Sequence, residues 1–325
     1  MDKKNIVIAI VTKDRSSVLK ETIQSLLKQD GLNEIFEFHL YIVDNSSEEE
    51  YQKNLKLLKS LKDVKGIKNI KIIRPTKNIG AGPGFHLIYE NIKNLKVDFV
   101  LKSDDDVIYK SNYIKKLIPY FRKYKDLAAA SGVIYYFHKP GEVWYSGGRF
   151  IKSIIYTKNL NPLNVSNNII FVDDLVSCAM LIDFQALKKV GGFDRDFFVY
   201  KDDTSLCYRL RKQGFKLILV KDTAAYHKIP YPKRITHFSI FYDTFNRFIF
   251  SRKFHSKSEK IVFSLYMLLI FMPYKLILFL HQRYGFAVFK SFLKALLKGY
   301  KYLFFSKKNP KGFSNMENFK IIVVK

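Results

Sequence analysis

Val97-Asp98-Phe99-Val100-Leu101-Lys102-Ser103-Asp104-Asp105-Asp106 is an apolar run that ends in three consecutive carboxylates. Its apolar half has the length and character of a buried strand. Three adjacent negative charges repel one another, and at the end of a buried strand they need a compensating cation. Oxygen ligands of this kind suit Mg2+ or Mn2+, which bridge carboxylates to the phosphates of a substrate. The competing reading is an acidic turn or a helix N-cap, where aspartate is common.

Upstream, apolar runs alternate with helix-period segments. Ile6–Val11, His39–Val43, Ile70–Ile73 and Val97–Leu101 read as strands. Val18, Ile23, Leu26 and Leu27 recur at helical spacing, as do Leu55, Leu57, Leu58 and Leu61. Short continuous strands separated by helices predict parallel β-α-β units in a sheet covered on both faces. Ligands of such sheets bind outside the carboxyl ends of the strands. Thr12-Lys13-Asp14-Arg15, Asp44-Asn45-Ser46-Ser47 and the aspartate triplet each follow a strand, so the topology gathers them on one edge. One such cluster reads as a turn; three at successive strand ends read as a nucleotide-type site.

Downstream, Ala128–Asp183 is less regular, with strand-like Val133–Tyr136 and Ile169–Val172 and loops at Lys139-Pro140-Gly141 and Asn159–Asn168. This predicts a mixed-sheet extension over the substrate site. A helix from about Asp203 to Gln213, stopped by Gly214, and a strand over Phe215–Val220 follow. The loop Asn78-Ile79-Gly80-Ala81-Gly82-Pro83-Gly84-Phe85 enters a helix and lets backbone approach a phosphate or ribose, although it lacks the Gly-Lys-Ser/Thr of a P-loop. Asp202-Asp203 open the later helix, where one aspartate serves as a cap and a second is free to act as a general base. His227 reads either as a metal ligand or as a structural histidine. Trp144, the only tryptophan, reads as an acceptor-stacking platform or a core residue.

The chain has 325 residues, 48% of them hydrophobic and 16% aromatic, which excludes a disordered protein. Cys178 and Cys207 lack metal spacing, which argues against a disulfide framework and for a reducing compartment. The run after Met1-Asp2-Lys3-Lys4 reads as a buried strand rather than a signal peptide. The net charge is +27, and from Lys228 onward cations face only Asp243, Glu259 and Glu317. Residues 1–230 therefore read as a catalytic domain and 231–325 as a basic, helical, membrane-associating region. Ile261–Leu280 is long and apolar but carries Pro273 and Lys275, which favours lying in a bilayer interface over crossing it. Lys290, Lys294, Lys298 and Lys301 form one basic helical face beside Phe289, Phe292, Leu293 and Leu296, the pattern of an interfacial helix with snorkelling lysines. The expected location is the cytoplasmic face of the cell membrane, peripheral or monotopic, on an anionic surface.

The order of these motifs resembles an inverting family-2 glycosyltransferase with a GT-A fold. The resemblance covers roughly Asn5 to His227. It rests on Ile8–Arg15, Tyr41–Ser46, the glycine loop, Ser103–Val107, Gly191-Gly192-Phe193-Asp194 and Asp202-Asp203. It implies an α/β, Rossmann-like nucleotide-sugar-binding fold with a mixed central sheet. Within the family the glycine loop and the aspartate pair are most similar to galactofuranosyltransferases, with rhamnosyltransferases next. Ala81 and Pro83 stand where that loop has glycines, Lys201 where it has tryptophan before the aspartates, and Ser205 where it has glutamate.

The resemblance implies roles for individual residues. Thr12 and Arg15 would line the nucleotide and Asp44 would bind its base. Asn78, Gly80, Asp104 and Asp105 would approach the nucleotide and donor. Asp104, Asp106 and His227 would hold Mn2+ or Mg2+. Asp203 would be the base, and Asp202 with Trp144 would meet the acceptor. The donor would be a nucleotide diphosphate sugar, UDP-linked or dTDP-linked, and the acceptor a glycan or lipid-linked oligosaccharide. Two rivals are a nucleotidyltransferase, which would release pyrophosphate, and a non-enzymatic nucleic-acid binder. Against nucleic acid, the positive charge lies beside apolar stretches and the acidic clusters repel phosphate.

Overall fold

Ile- and Val-rich runs of six to nine residues are too short for buried helices, and each forms a strand. The first four are β1 (Lys4–Thr12), β2 (Phe36–Asp44), β3 (Ile67–Pro75) and β4 (Phe99–Asp104). The amphipathic segments between them are α1 (Ser16–Leu27), α2 (Glu48–Ser60) and α3 (Ala81–Ile92). The computed structural model describes residues 3–162, 166–232, 234–306 and 319–325. The remaining elements are β5 (Val107–Tyr109), α4 (Tyr113–Lys123), β6 (Leu127–Tyr136), β7 (Lys139–Tyr145), β8 (Gly148–Ile151), β9 (Tyr156–Asn159), β10 (Ile169–Val172), β11 (Ala179–Asp183), α5 (Phe184–Lys189), α6 (Asp202–Lys212), β12 (Lys216–His227), α7 (His237–Phe254), α8 (Lys257–Tyr266), α9 (Met272–His281), α10 (Phe286–Phe305) and β13 (Phe319–Val323).

The main sheet runs β10-β12-β6-β11-β4-β1-β2-β3-β13, with β5 added to β12 and β7 to β6. β4, β1, β2 and β3 are parallel, whereas β11 lies antiparallel between β4 and β6. The sheet is therefore mixed, as expected. Period-2 alternation sends Ile6, Ile8 and Ile10 of β1 to a core under α1, α2 and α4, and Val7 and Ala9 to a second core under α3, α5 and α6. A third apolar cluster, built on Phe248, Phe263, Met267 and Phe292, joins α7 to α8 and α10.

Two boundaries differ from the sequence reading. Lys139-Pro140-Gly141, expected as a loop, begins β7, because a tight turn at Phe137-His138 folds it back with Lys139 opposite Tyr136. The strand expected to stop at Val220 continues to His227. A bulge between Val220 and Ala224 absorbs the polar Lys221-Asp222-Thr223, and pairing with β6 resumes at Ala224. Of the loop expected over Asn159–Asn168, Asn159 ends β9 and residues 163–165 lie outside the described residues.

Candidate active site

The aspartate triplet sits at the corner where β4 turns into β5, and its three carboxylates point in different directions. Asp105 is fully buried. It accepts from the Thr12 hydroxyl at 2.6 Å and pairs with Arg15 at 2.5 Å. Burial pushes its pKa up to about 6, against the pull of Arg15. Asp105 and Thr12 therefore clamp β1 to this corner, and their side chains, expected beside the nucleotide, are buried against each other. Arg15 reaches across Asp105 to Asp106 at 2.8 Å, so its guanidinium serves the triplet first. Asp44 is also buried, with its oxygens taken by the Ser46 backbone N–H at 2.9 Å and Asn54 Nδ2 at 2.8 Å. It shapes the turn after β2 and presents no open face to a base.

Asp104 and Asp106 converge with His227. β12 ends antiparallel to β5, with His227 opposite Val107, which brings the imidazole to the triplet. His227 Nε2 lies 2.9 Å from Asp106 Oδ1 and 3.7 Å from Asp104 Oδ2. Trp144 meets the His227 ring edge-on at 4.5 Å and fixes its plane. Partial desolvation raises the Asp104 pKa despite His227. Asp106 is buried, but the bonds from His227 and Arg15 hold it below the ordinary carboxylate value. Among the described residues one ligating atom from each of the three lies within 4.8 Å of the others. Two hard carboxylates and an imidazole, with the Asp104 side chain 40% exposed, are a donor set that can hold Mn2+ or Mg2+.

A cavity of about 460 Å³ opens from this cluster and contains Asp202 and Asp203 in its wall, together with Trp144, Tyr200 and Asp174. Asp203 stands in the first turn of α6. Burial, then the nearby Asp202 and Asp174, push its pKa up to about 7. Asp202 makes a buried ion pair with Lys102 at 2.8 Å. Burial alone would lower the Lys102 pKa, but Asp202, Asp104 and Asp203 hold it above the usual value. Lys102 also donates to Ser177 Oγ and lies 4.0 Å from the centre of the Phe85 ring. The acceptor role expected for Asp202 is thus joined by a structural one.

Several of these residues escaped the sequence reading. Lys102 carried a signal, a lone cation inside an apolar strand. Asp174 carried none. Asp243 and Arg247 of α7 also line the cavity, so the region after Pro232 helps to build it. Asn246 fixes α7 there by donating to the Val199 and Tyr200 carbonyls at 2.6 and 2.9 Å.

The glycine loop does something other than expected. Gly80 is buried at φ +85°, and a Cβ there would stand 2.4 Å from the Phe198 carbonyl; at Gly82 it would stand 2.1 Å from that of Phe197. The Ala81 N–H at the start of α3 donates to the Phe198 carbonyl at 2.7 Å. These glycines admit the backbone of Phe197 and Phe198, and the N-terminal end of α3 is engaged by it. Asn78 is exposed, accepts from the Gly80 N–H at 2.9 Å and lines a second cavity.

This sheet, with its acidic strand-end corner and lateral cavity, has the architecture of GT-A glycosyltransferases. A family described as glycosyltransferase-like family 2 matches residues 4–240. The chain belongs to that family. Over 82 residues it is 33% identical to the rhamnosyltransferase WbbL of Escherichia coli K12, a stretch covering 24% of this chain and 30% of that protein. Among solved structures it resembles the mannosyltransferase PcManGT of Pyrobaculum calidifontis, crystallised with GDP-Man and Mn2+, at 12% identity and a TM-score of 0.56. That match covers 95% of this chain and 89% of the other. GalNAc-T7, crystallised with UDP, GalNAc and Mn2+, matches at 15% identity and the same TM-score, over 70% of this chain and 44% of its own. At these identities the structural likeness concerns the fold.

Proposed function

We propose that this glycosyltransferase moves a sugar from a nucleotide diphosphate donor to a hydroxyl of a lipid-linked or growing polysaccharide, with inversion. One observation carries the reading: Asp104 of the carboxylate–imidazole group and the proton-accepting Asp203 face the same cavity. A divalent ion on Asp104, Asp106 and His227 would neutralise charge on the departing diphosphate. Asp203 accepts the proton of the incoming hydroxyl. As it does so, the acceptor oxygen bonds to the anomeric carbon, and the carbon–oxygen bond to the diphosphate breaks with its electron pair. Trp144 and Tyr200 supply aromatic walls for an acceptor sugar. For the donor sugar, the resemblance of Asn78–Phe85 to the galactofuranosyltransferase loop supports UDP-galactofuranose. The local identity with a rhamnosyltransferase supports rhamnose on dTDP as the second reading.

A panel of nucleotide sugars with Mn2+ tests the reaction directly. One member should stabilise the protein thermally by mass action and release a nucleoside diphosphate when acceptor is added. Release of pyrophosphate from nucleoside triphosphates instead would point to a nucleotidyltransferase. Asp106→Ala should abolish the Mn2+-dependent part of donor binding in calorimetry. Equal donor affinity in that variant and wild type, with and without Mn2+, would remove the metal role.

For the cytoplasmic membrane face, support comes from the continuous helical stretch Lys257–His281, long and apolar enough to cross a bilayer. Its Phe263, Met267, Phe271 and Phe279 are buried against the protein, while Leu269, Ile277 and Leu280 are exposed. A helix packed along one side favours lying in the interface. The exposed lysines Lys290, Lys294 and Lys301 of α10 add attraction to anionic headgroups. Each large apolar side chain transferred from water contributes about 1.5–3 kcal/mol. The triple variant Leu269→Ser, Ile277→Ser, Leu280→Ser should therefore stop sedimenting with anionic liposomes that carry wild type down. Unchanged sedimentation would dispose of the anchor.

A further inference from the structure

β13 runs antiparallel to β3, with Phe319 opposite Pro75 and Lys320 opposite Arg74. Backbone bonds between Ile70 and residues Val324 and Lys325 close the other end of the pair. The direction matters. Parallel strands deliver their last residues to the ligand-binding edge of the sheet. An antiparallel strand at the margin delivers its first residue there, so Phe319 arrives beside the ends of β2 and β3.

A cavity of about 620 Å³ lies at that place, lined by Asn45 and Ser46 after β2, by Arg74 through Asn78 around the end of β3, and by Phe319 and Lys320. Its wall is polar apart from Pro75 and Phe319, and Phe319 is its only aromatic residue among those described. The ring belongs to a residue 38% exposed on a strand at the sheet's margin. Asn78 lines this cavity and Ala81 lines the catalytic one, so the two meet across Ile79 and Gly80. A flat π-face set among amide, hydroxyl and cationic groups suits a nucleobase with its ribose.

We infer that Phe319 forms the base-stacking wall of the nucleotide pocket, supplied by the C-terminal strand. The base lies on the ring beyond β3, and the diphosphate extends past the glycine loop toward Asp104. This assignment rests on the transferase reading given above. It also takes over the base-binding role that the buried Asp44 does not fill.

Calorimetry on the full chain with UDP, GDP and dTDP in Mn2+ tests it, with inorganic pyrophosphate as a probe that has no base to stack. Stacking tolerates any base, because every base has a π-face. Phe319→Ala should weaken all three nucleotides about tenfold, about 1.4 kcal/mol. Phe319→Tyr should restore them, and pyrophosphate should bind alike in every variant. Equal nucleotide affinity in Phe319→Ala and wild type overturns the assignment. So does a parallel loss of pyrophosphate binding, since the strand would then act only through the fold. A wild-type chain that binds none of the nucleotides would refute the transferase reading itself, which separates the two failures.

Discussion

Asp203→Asn should lower turnover by about 10²–10⁴-fold while leaving nucleotide affinity where it was. The substitution keeps the shape and hydrogen-bonding reach of the side chain and removes only its ability to accept a proton. In the proposed site the donor is held elsewhere, at the triplet corner and in the cavity beyond β3, so its binding should not respond. Rate and affinity therefore separate: kcat falls and the dissociation constant for nucleoside diphosphate stays constant. Wild-type turnover in this variant would end the assignment of Asp203 as the base.

The same residue sets a pH profile. Burial, then Asp202 and Asp174, push its pKa up to about 7. A base works only when deprotonated, so activity should be flat above about pH 7 and fall about tenfold per unit below it. An unshifted aspartate would place that limb near pH 4. The Asp203→Asn variant should lose the limb near 7 along with most of its rate. Retention of the same limb would assign it to another group.

The sequence made the parallel half of the sheet legible because its strands are continuous apolar runs between helix-period segments. The strand-end clusters followed from topology alone. What it could not convey was the direction of each side chain within a cluster. Asp104, Asp105 and Asp106 look equivalent on paper, yet the turn from β4 to β5 sends one to the cleft, one under α1 and one between Arg15 and His227. Gly80 and Gly82 carry a related ambiguity. A glycine signals only that something comes close, and here it is the backbone of Phe197 and Phe198 from far along the chain. Asp243 and Arg247 were missed because the change in composition after Pro232 suggested a separate region, whereas α7 is pinned to the catalytic wall.

Asp202→Ala is expected to be the most damaging substitution for stability, at about 3–5 kcal/mol. Lys102 and Asp202 are both nearly inaccessible, and their ion pair lies between the Phe85 ring and the cavity floor. Removing the carboxylate leaves an ammonium group in a poorly solvating place, with Ser177 as its remaining hydrogen-bond partner and only the more distant Asp104 and Asp203 to offset its charge. The cost arises from the stranded charge rather than from the net worth of the pair, because burying two ions already spends much of their attraction on desolvation. The double variant Lys102→Met, Asp202→Ala should therefore recover most of the loss, and urea denaturation midpoints would read both effects. The functional consequence differs from that at Asp203. If Asp202 also contacts the acceptor, the double variant will be stable yet carry a raised KM for acceptor, with nucleotide affinity unchanged. A single variant within about 1 kcal/mol of wild type would mean that Lys102 finds water or another anion, and the central role of this pair in the cavity floor would be lost.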